Sequence, residues 1–393
     1  MIKIIKYIMP LIVLLSTASV GFAQSVLSSG EWFKIGIVEE GVHKLDAAFL
    51  QQLGLDLSAL DPTTIKVFGN GGKMLPQSNS IARPSELLEN SILVAGETDG
   101  SFDQNDAVFF YGQSPHTLEY DASKDAYFYE NNIYSDTTFY FFTYGAGNGK
   151  RVEQSADLGS GHPIVNSMRQ PQVHELDLAN VLTDPTGKGG SGREWYGEIF
   201  NTTVSRDFSF EIGSPAINGS AKIIANVLSK SEEAATFKID VEGQEVSQIT
   251  IDKITSSTYS QRGLAATDTI IFDNSIISGS EVTINFKYSR PKTSSIGHLN
   301  YILLDVAQKL EFNSNQLVFE SPSTLVIDSS TFEIANLSSL EKIWDITDPT
   351  APTSQVFSLQ GAVMIPSLNP SALCLDPLSG IYFNTSLIAG LLG

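Results

Sequence analysis

Short runs rich in Val, Ile, Phe, Tyr and Thr recur along nearly all of this 393-residue chain, each closed by Gly, Asn, Asp, Ser or Pro. They fall at 32–38, 64–68, 107–111, 138–144, 208–212, 222–228, 236–241, 281–288 and 299–305. Branched and aromatic residues suit a pleated, half-buried surface, and runs of this length between turn residues read as strands. Alternating helical patterns of the kind a parallel βαβ sheet requires do not separate them. The expected fold is therefore mainly β: two or more antiparallel β-sandwich-like domains. A chain of this length can form two or three domains, each burying its own core. Its 42% hydrophobic content excludes a disordered chain.

One short helix is expected near the N-terminus. Asp46 can cap it, Phe49, Leu50 and Leu53 share a face, and Gly54 can end it. Residues 1–23 read as a secretory signal peptide. Lys3 and Lys6 give the positive start, residues 8–15 an apolar core broken by Pro10, and Gly21-Phe22-Ala23 the cleavage pattern. The apolar run is too short to span a bilayer, which takes roughly 20 residues. Polar stretches suggest internal seams near 155–161, 183–192 and 310–316. The expected division is residues 1–23 as signal peptide and 24–165 as an N-terminal β-rich domain. A β-sandwich at 166–310 and a short β segment at 311–393 follow. The stretch 183–192, with Gly187-Lys188-Gly189-Gly190-Ser191-Gly192, reads as a mobile loop. No Ser or Thr follows its lysine, so the phosphate-loop pattern fails.

Charge and sulfur narrow the function. Lys and Arg total 24 against 44 Asp and Glu, a net charge of −20. Such a surface repels phosphate backbones, so no nucleic-acid partner is expected. A single cysteine, Cys374, rules out an intrachain disulfide and cysteine-based metal clusters. None of His43, His116, His162, His174 and His298 pairs with another at metal-ligand spacing. Asp99, Asp103 and Asp106, near Gly100, could offer oxygen ligands to calcium. The spacing lacks a terminal bidentate Glu, and a turn in which Asp and Asn bond their own backbone is the preferred reading. No cofactor is expected.

Longer strings carry more information together than any motif alone. In order they are Ser25-Val-Leu-Ser-Ser-Gly-Glu-Trp-Phe-Lys-Ile, Gly41-Val-His-Lys-Leu-Asp46, and Asp61-Pro-Thr-Thr-Ile-Lys-Val-Phe-Gly-Asn-Gly-Gly72. Arg83-Pro84, Asp99-Gly-Ser-Phe-Asp103, Phe109-Phe-Tyr-Gly112 and Asn132-Ile-Tyr-Ser-Asp136 follow. Gly192-Arg-Glu-Trp-Tyr-Gly-Glu198 and Trp344-Asp-Ile-Thr-Asp-Pro349 complete the set. Across 25–349 this series resembles the N-terminal, pre-catalytic region of PorU-type sortases of the type IX secretion system. These are gingipain-related cysteine peptidases of Bacteroidetes.

The resemblance implies a protein at the outer membrane or cell surface, held peripherally. Such a protein removes the C-terminal signal domain of secreted cargo and works with a PorV-like outer-membrane partner. The family's Cys and His belong to a caspase-like domain that follows the matched region. That domain is expected to be absent here, so no catalytic role passes to Cys374 or His298, and the chain reads as a partial form. Gly69, Gly71 and Gly72 are expected to supply positive-φ positions in a turn. Arg193, Glu194 and Trp195 are expected to pin a strand start by ion pair and aromatic burial, and Trp344 with Asp345 to close a strand. The alternative function is an exported, non-enzymatic β-sandwich binding or adhesion module.

Overall fold

The computed structural model describes residues 25–157, 159–182, 190, 192–216, 219–255, 260–312, 316–327, 329–336, 342–359, 363–367, 372–376, 381–382 and 390–391. Antiparallel sheets dominate, with one α-helix among the described residues. Three short strand pairs are parallel.

The N-terminal unit stacks two small sheets. Trp32–Ile37 pairs with Thr138–Thr143, which pairs with Lys66–Phe68. In the second sheet Ala107–Gly112 lies between Gly41–Asp46 and Ile92–Ala95. Phe33, Ile35, Leu45, Val67, Val108 and Phe142 meet in one buried cluster. The helix Ala47–Gln52 follows its sequence signals. Asp46 Oδ1 accepts the Phe49 amide at 2.9 Å, Leu50 is fully buried, and Gly54 turns out of the helix at φ +92°. Barely two turns long, it is held by packing rather than by propensity.

The second unit is a sandwich of long strands. Ser220–Lys230 lies between Leu264–Asp273 and Ile296–Lys309. The opposing sheet runs Ser205–Glu211, Glu281–Tyr288, Ala235–Val241, Gln244–Ile251. Along Ala235–Val241 every second residue is buried, so Phe237 and Ile239 enter the shared core with Ile223, Ile284 and Leu304. Ile296–Lys309 is buried almost continuously instead. Its Ile302, Leu304 and Val306 join the sandwich core. Tyr301 and Asp305 meet side chains of other segments. A strand covered on both faces loses the in-out alternation.

A third cluster joins Val165, Met168, Leu310, Leu317, Phe319, Phe332, Ile334 and Ile343. The last strands turn back toward the start of the chain: Gly390–Leu391 pairs with Trp32–Ile37, and Ile381–Tyr382 runs parallel to Gly41–Asp46.

Candidate functional site

Three of the sequence strings line one groove of about 580 Å³, and a fourth reaches its edge through Arg193. Its walls include Gly72, Leu75, Gln77, Arg83, Tyr134 and Phe139. The glycine string shapes one wall. A Cβ on Gly69 would lie 2.5 Å from the Tyr140 ring, and one on Gly72 would lie 1.8 Å from the Ser114 carbonyl oxygen. Only Gly71 of the three has a positive φ, +80°. The run is therefore set mainly by close approach and only once by left-handed backbone, unlike the turn expected from sequence. Asn132 ties the walls together: its Nδ2 donates to the Gly72 carbonyl at 3.2 Å, and its Oδ1 accepts the Tyr134 amide at 3.0 Å.

Arg193 reaches the groove's edge from the second unit. Its Nη1 donates to Gln77 Oε1 at 2.7 Å and to the Tyr134 hydroxyl at 2.9 Å. Arg83 donates to the Pro76 carbonyl at 2.8 Å and to Asn79 Oδ1 at 3.2 Å. Neither guanidinium has a carboxylate partner among the described residues. Lys34 sits 3.5 Å from the centroid of the Phe139 ring, and Lys73 pairs with Glu119. Thr138 is buried in the wall with a hydroxyl that finds no partner among the described residues.

The other singled-out residues serve local structure. Asp99 Oδ1 accepts the Ser101 amide at 3.0 Å, and Asp106 Oδ2 accepts the Asp103 amide at 2.7 Å. Gly96 leaves room for the Asp106 carboxylate, which a Cβ there would meet at 1.8 Å. Among the described residues no group of three His, Cys, Asp or Glu is disposed to hold a metal. Among the described residues Arg193 makes hydrogen bonds and no ion pair, and Trp195 is half-exposed rather than buried. The neighbouring Tyr196 takes the buried place, bridged to Ala179, and donates to Glu194 at 3.2 Å. Trp344 is buried with Val42, Phe109 and Tyr111. Asp345 accepts the Thr347 amide at 2.9 Å as the strand Lys342–Asp345 ends. Cys374 lies in a strand opposite Val318 and Trp344. Residues 183–189 and 191 of the glycine-rich stretch, Lys188 included, lie outside the described residues.

Sequence reasoning missed a second feature, the hairpin of Thr117–Asp121 and Ala126–Glu130. It reaches the second unit at several points. Tyr129 packs edge-on against Tyr301 at 5.7 Å. The Lys222 ammonium bonds Asp125 Oδ2 at 2.7 Å, and the Tyr120 hydroxyl donates to Asp125 Oδ1 at 2.6 Å. These two bonds hold the Asp125 carboxyl below its ordinary range. Nearby, Arg169 Nε donates to Asp305 at 2.6 Å in a two-point pair. Glu175 is pushed up to about 7 by burial; the Tyr129 hydroxyl opposes that rise and Asp177 adds to it. Burial lowers His298 to about 4, with Lys230 contributing, and lowers His43 to about 4 against its bond to the Glu39 carbonyl. The dense tyrosines of 117–130 were visible in the sequence, but nothing there named their partners.

No family model matches the sequence, and no curated protein sequence matches it. Solved structures do. PorU from Porphyromonas gingivalis, described as a dimeric latent form, superposes with a TM-score of 0.73 at 20% identity. The match covers 94% of this chain and 33% of PorU. The chain has the fold of a PorU region. It spans about a third of PorU's length. A CBM36 carbohydrate-binding module, solved with calcium and xylotriose, reaches a TM-score of only 0.19 at 11% identity, over 25% of this chain and 70% of the module. A β-porphyranase from Bacteroides plebeius reaches 0.22 at 8% identity, over 71% of this chain and 35% of that enzyme. Among the described residues no helix is long and apolar enough to cross a membrane.

Proposed function

We propose that this chain is the pre-catalytic β region of a PorU-type sortase, a scaffold that presents cargo for processing at the outer membrane. The observation that carries the reading is the superposition of 94% of the chain on a single third of PorU. The ordered sequence strings support it independently, three of them lining one groove that a fourth reaches through Arg193. In this reading the scaffold works beside a PorV-like partner and receives secreted proteins bearing C-terminal signal domains. In this reading the units divide at 166 and 311. Asp99, Asp103 and Asp106 act as turn residues. The glycines and Trp344 act as structural residues.

The test uses the mature chain immobilised on a surface. A cargo protein carrying its C-terminal signal domain should be retained, and the same cargo without that domain should pass through, with neither cleaved. Equal retention of both cargoes favours the exported binding module instead. Thiol-dependent cleavage that vanishes in Cys374→Ala would overturn the scaffold role and place a peptidase in this chain.

A further inference from the structure

We propose that the groove between residues 71–83 and 132–139 is a docking site for an acidic peptide segment carrying an apolar or aromatic residue beside its carboxylates. The inference stands on the geometry of this chain and does not rest on the PorU reading. Two observations point the same way.

The first is electrostatic. Acidic residues outnumber basic ones 44 to 24, so a cation here has carboxylates available in excess. Arg83 and Arg193 nevertheless find none among the described residues. Both are held at residues 76–77 by neutral acceptors, the Pro76 backbone carbonyl and the Gln77 side-chain Oε1. That arrangement fixes their direction while leaving their charge uncompensated. An oriented guanidinium presents a planar fork that fits a carboxylate at two points. Lys34, against Phe139, adds a third cation without a carboxylate partner among the described residues.

The second is apolar. Tyr134 is 64% exposed and Leu75 58% exposed on the groove wall, with Phe139 beside them. Exposed apolar side chains that share a concavity mark an interaction site more often than singly scattered ones do. Tyrosine and arginine are also the residues that concentrate binding energy at interfaces. Inorganic phosphate would satisfy the guanidiniums and leave the apolar wall bare, and an apolar ligand would do the reverse. An acidic peptide with an apolar side chain meets both.

The experiment measures binding of fluorescein-labelled acetyl-Glu-Phe-Glu-Leu to the full mature chain by anisotropy. Saturable binding that weakens at high salt is expected, with no binding of acetyl-Lys-Phe-Lys-Leu. Arg83→Gln and Arg193→Gln should each weaken the acidic peptide about tenfold, the usual worth of a charged hydrogen bond. Tyr134→Ala should weaken it through the apolar side. All three side chains are exposed, so melting curves should match the wild type. If a variant melts early, the contrast between the Glu and Lys peptides on the wild-type chain decides. Equal affinity for the two peptides, or unchanged affinity in the double arginine variant, overturns the proposal. So does displacement of the peptide by an equal concentration of inorganic phosphate or by phosphatidylglycerol vesicles. Dimerisation of the chain that the arginine variants abolish and the peptide does not disturb would assign the groove to a second copy.

Discussion

The N-terminal unit and the long-stranded sandwich bury comparable sets of large apolar residues, yet they reach their cores differently. In the sandwich, strands of 11, 10 and 14 residues pair over most of their length. Alternation then delivers side chains to the core almost automatically. In the N-terminal unit the main strands are 6 residues long. Turns, 3-10 segments and the glycine string join them and leave a concave surface. Regular pairing gives a rigid support. Short strands with long connections give the shaped surface on which recognition usually sits. The groove's lining lies in the N-terminal unit, and among the described residues Arg193 reaches it from the other side.

If the sandwich is an independent support, its centre should be the most damaging place to cut. Phe237 is fully buried, stacks edge-on with Phe200 at 5.2 Å, and touches Tyr288 at 4.8 Å. A Cβ on Gly297 would lie 2.6 Å from its ring, so backbone packs directly on it. Little can collapse into the space that Phe237→Ala leaves. The expected loss is about 3–5 kcal/mol, visible by calorimetry as a fall in the sandwich transition alone. A matching fall in the N-terminal transition would mean that the 117–130 hairpin makes the two units one cooperative body.

A smaller effect is expected in the N-terminal unit. Gly72→Ala sets a methyl 1.8 Å from the Ser114 carbonyl oxygen, which is backbone and cannot rotate away. About 3 kcal/mol of overpacking should follow, with the groove wall displaced. Gly100→Ala is the control. That residue has φ +82° and nothing within 4 Å of an added Cβ, so only left-handed strain of about 1 kcal/mol applies. Equal losses in chemical denaturation would remove the case for close approach at Gly72.

The sandwich was the more legible unit. Runs such as 236–241 and 281–288 became strands within a residue or so, Ala235–Val241 and Glu281–Tyr288, because period-two burial writes itself into the sequence. The helix was legible too, since Asp46 and Gly54 are local signals acting on local backbone. The groove was not. It draws on 71–83, 132–139 and Arg193, which no periodicity relates. Sequence could show that these strings existed, and only the fold could bring them together. Trp195 marks the same limit at single-residue scale. A large aromatic suggests burial, but the bridge to Ala179 turns Tyr196 inward and leaves Trp195 at the surface. The hairpin contacts were hidden because Lys222, Glu175 and Tyr301 sit in strands whose patterns speak of the sheet and not of what covers it.

That covered junction gives the last and smallest expected effect, and it separates the two units by pH. Glu175 normally titrates near 4.5 and is raised to about 7 in the fold by burial, with Tyr129, Asp177 and His174 around it. Between those values the folded chain holds a proton that the unfolded chain has released. Its contribution is thus fully present below 4.5 and is lost as pH rises to about 7. His43 and His298 act in the opposite sense. Their folded values near 4 lie below the ordinary 6.5, so stability grows as pH climbs through that interval and is level above it. Above 6.5 the decline left among these three groups is that of Glu175. Replacing Glu175 with Gln keeps the shape without the charge. The variant should gain about 1–2 kcal/mol on wild type at about pH 8 and match it most closely near pH 4. Melting temperatures taken at stepped pH read this directly. Parallel profiles for the two proteins would show that Glu175 is solvated in solution and that the hairpin does not cover it.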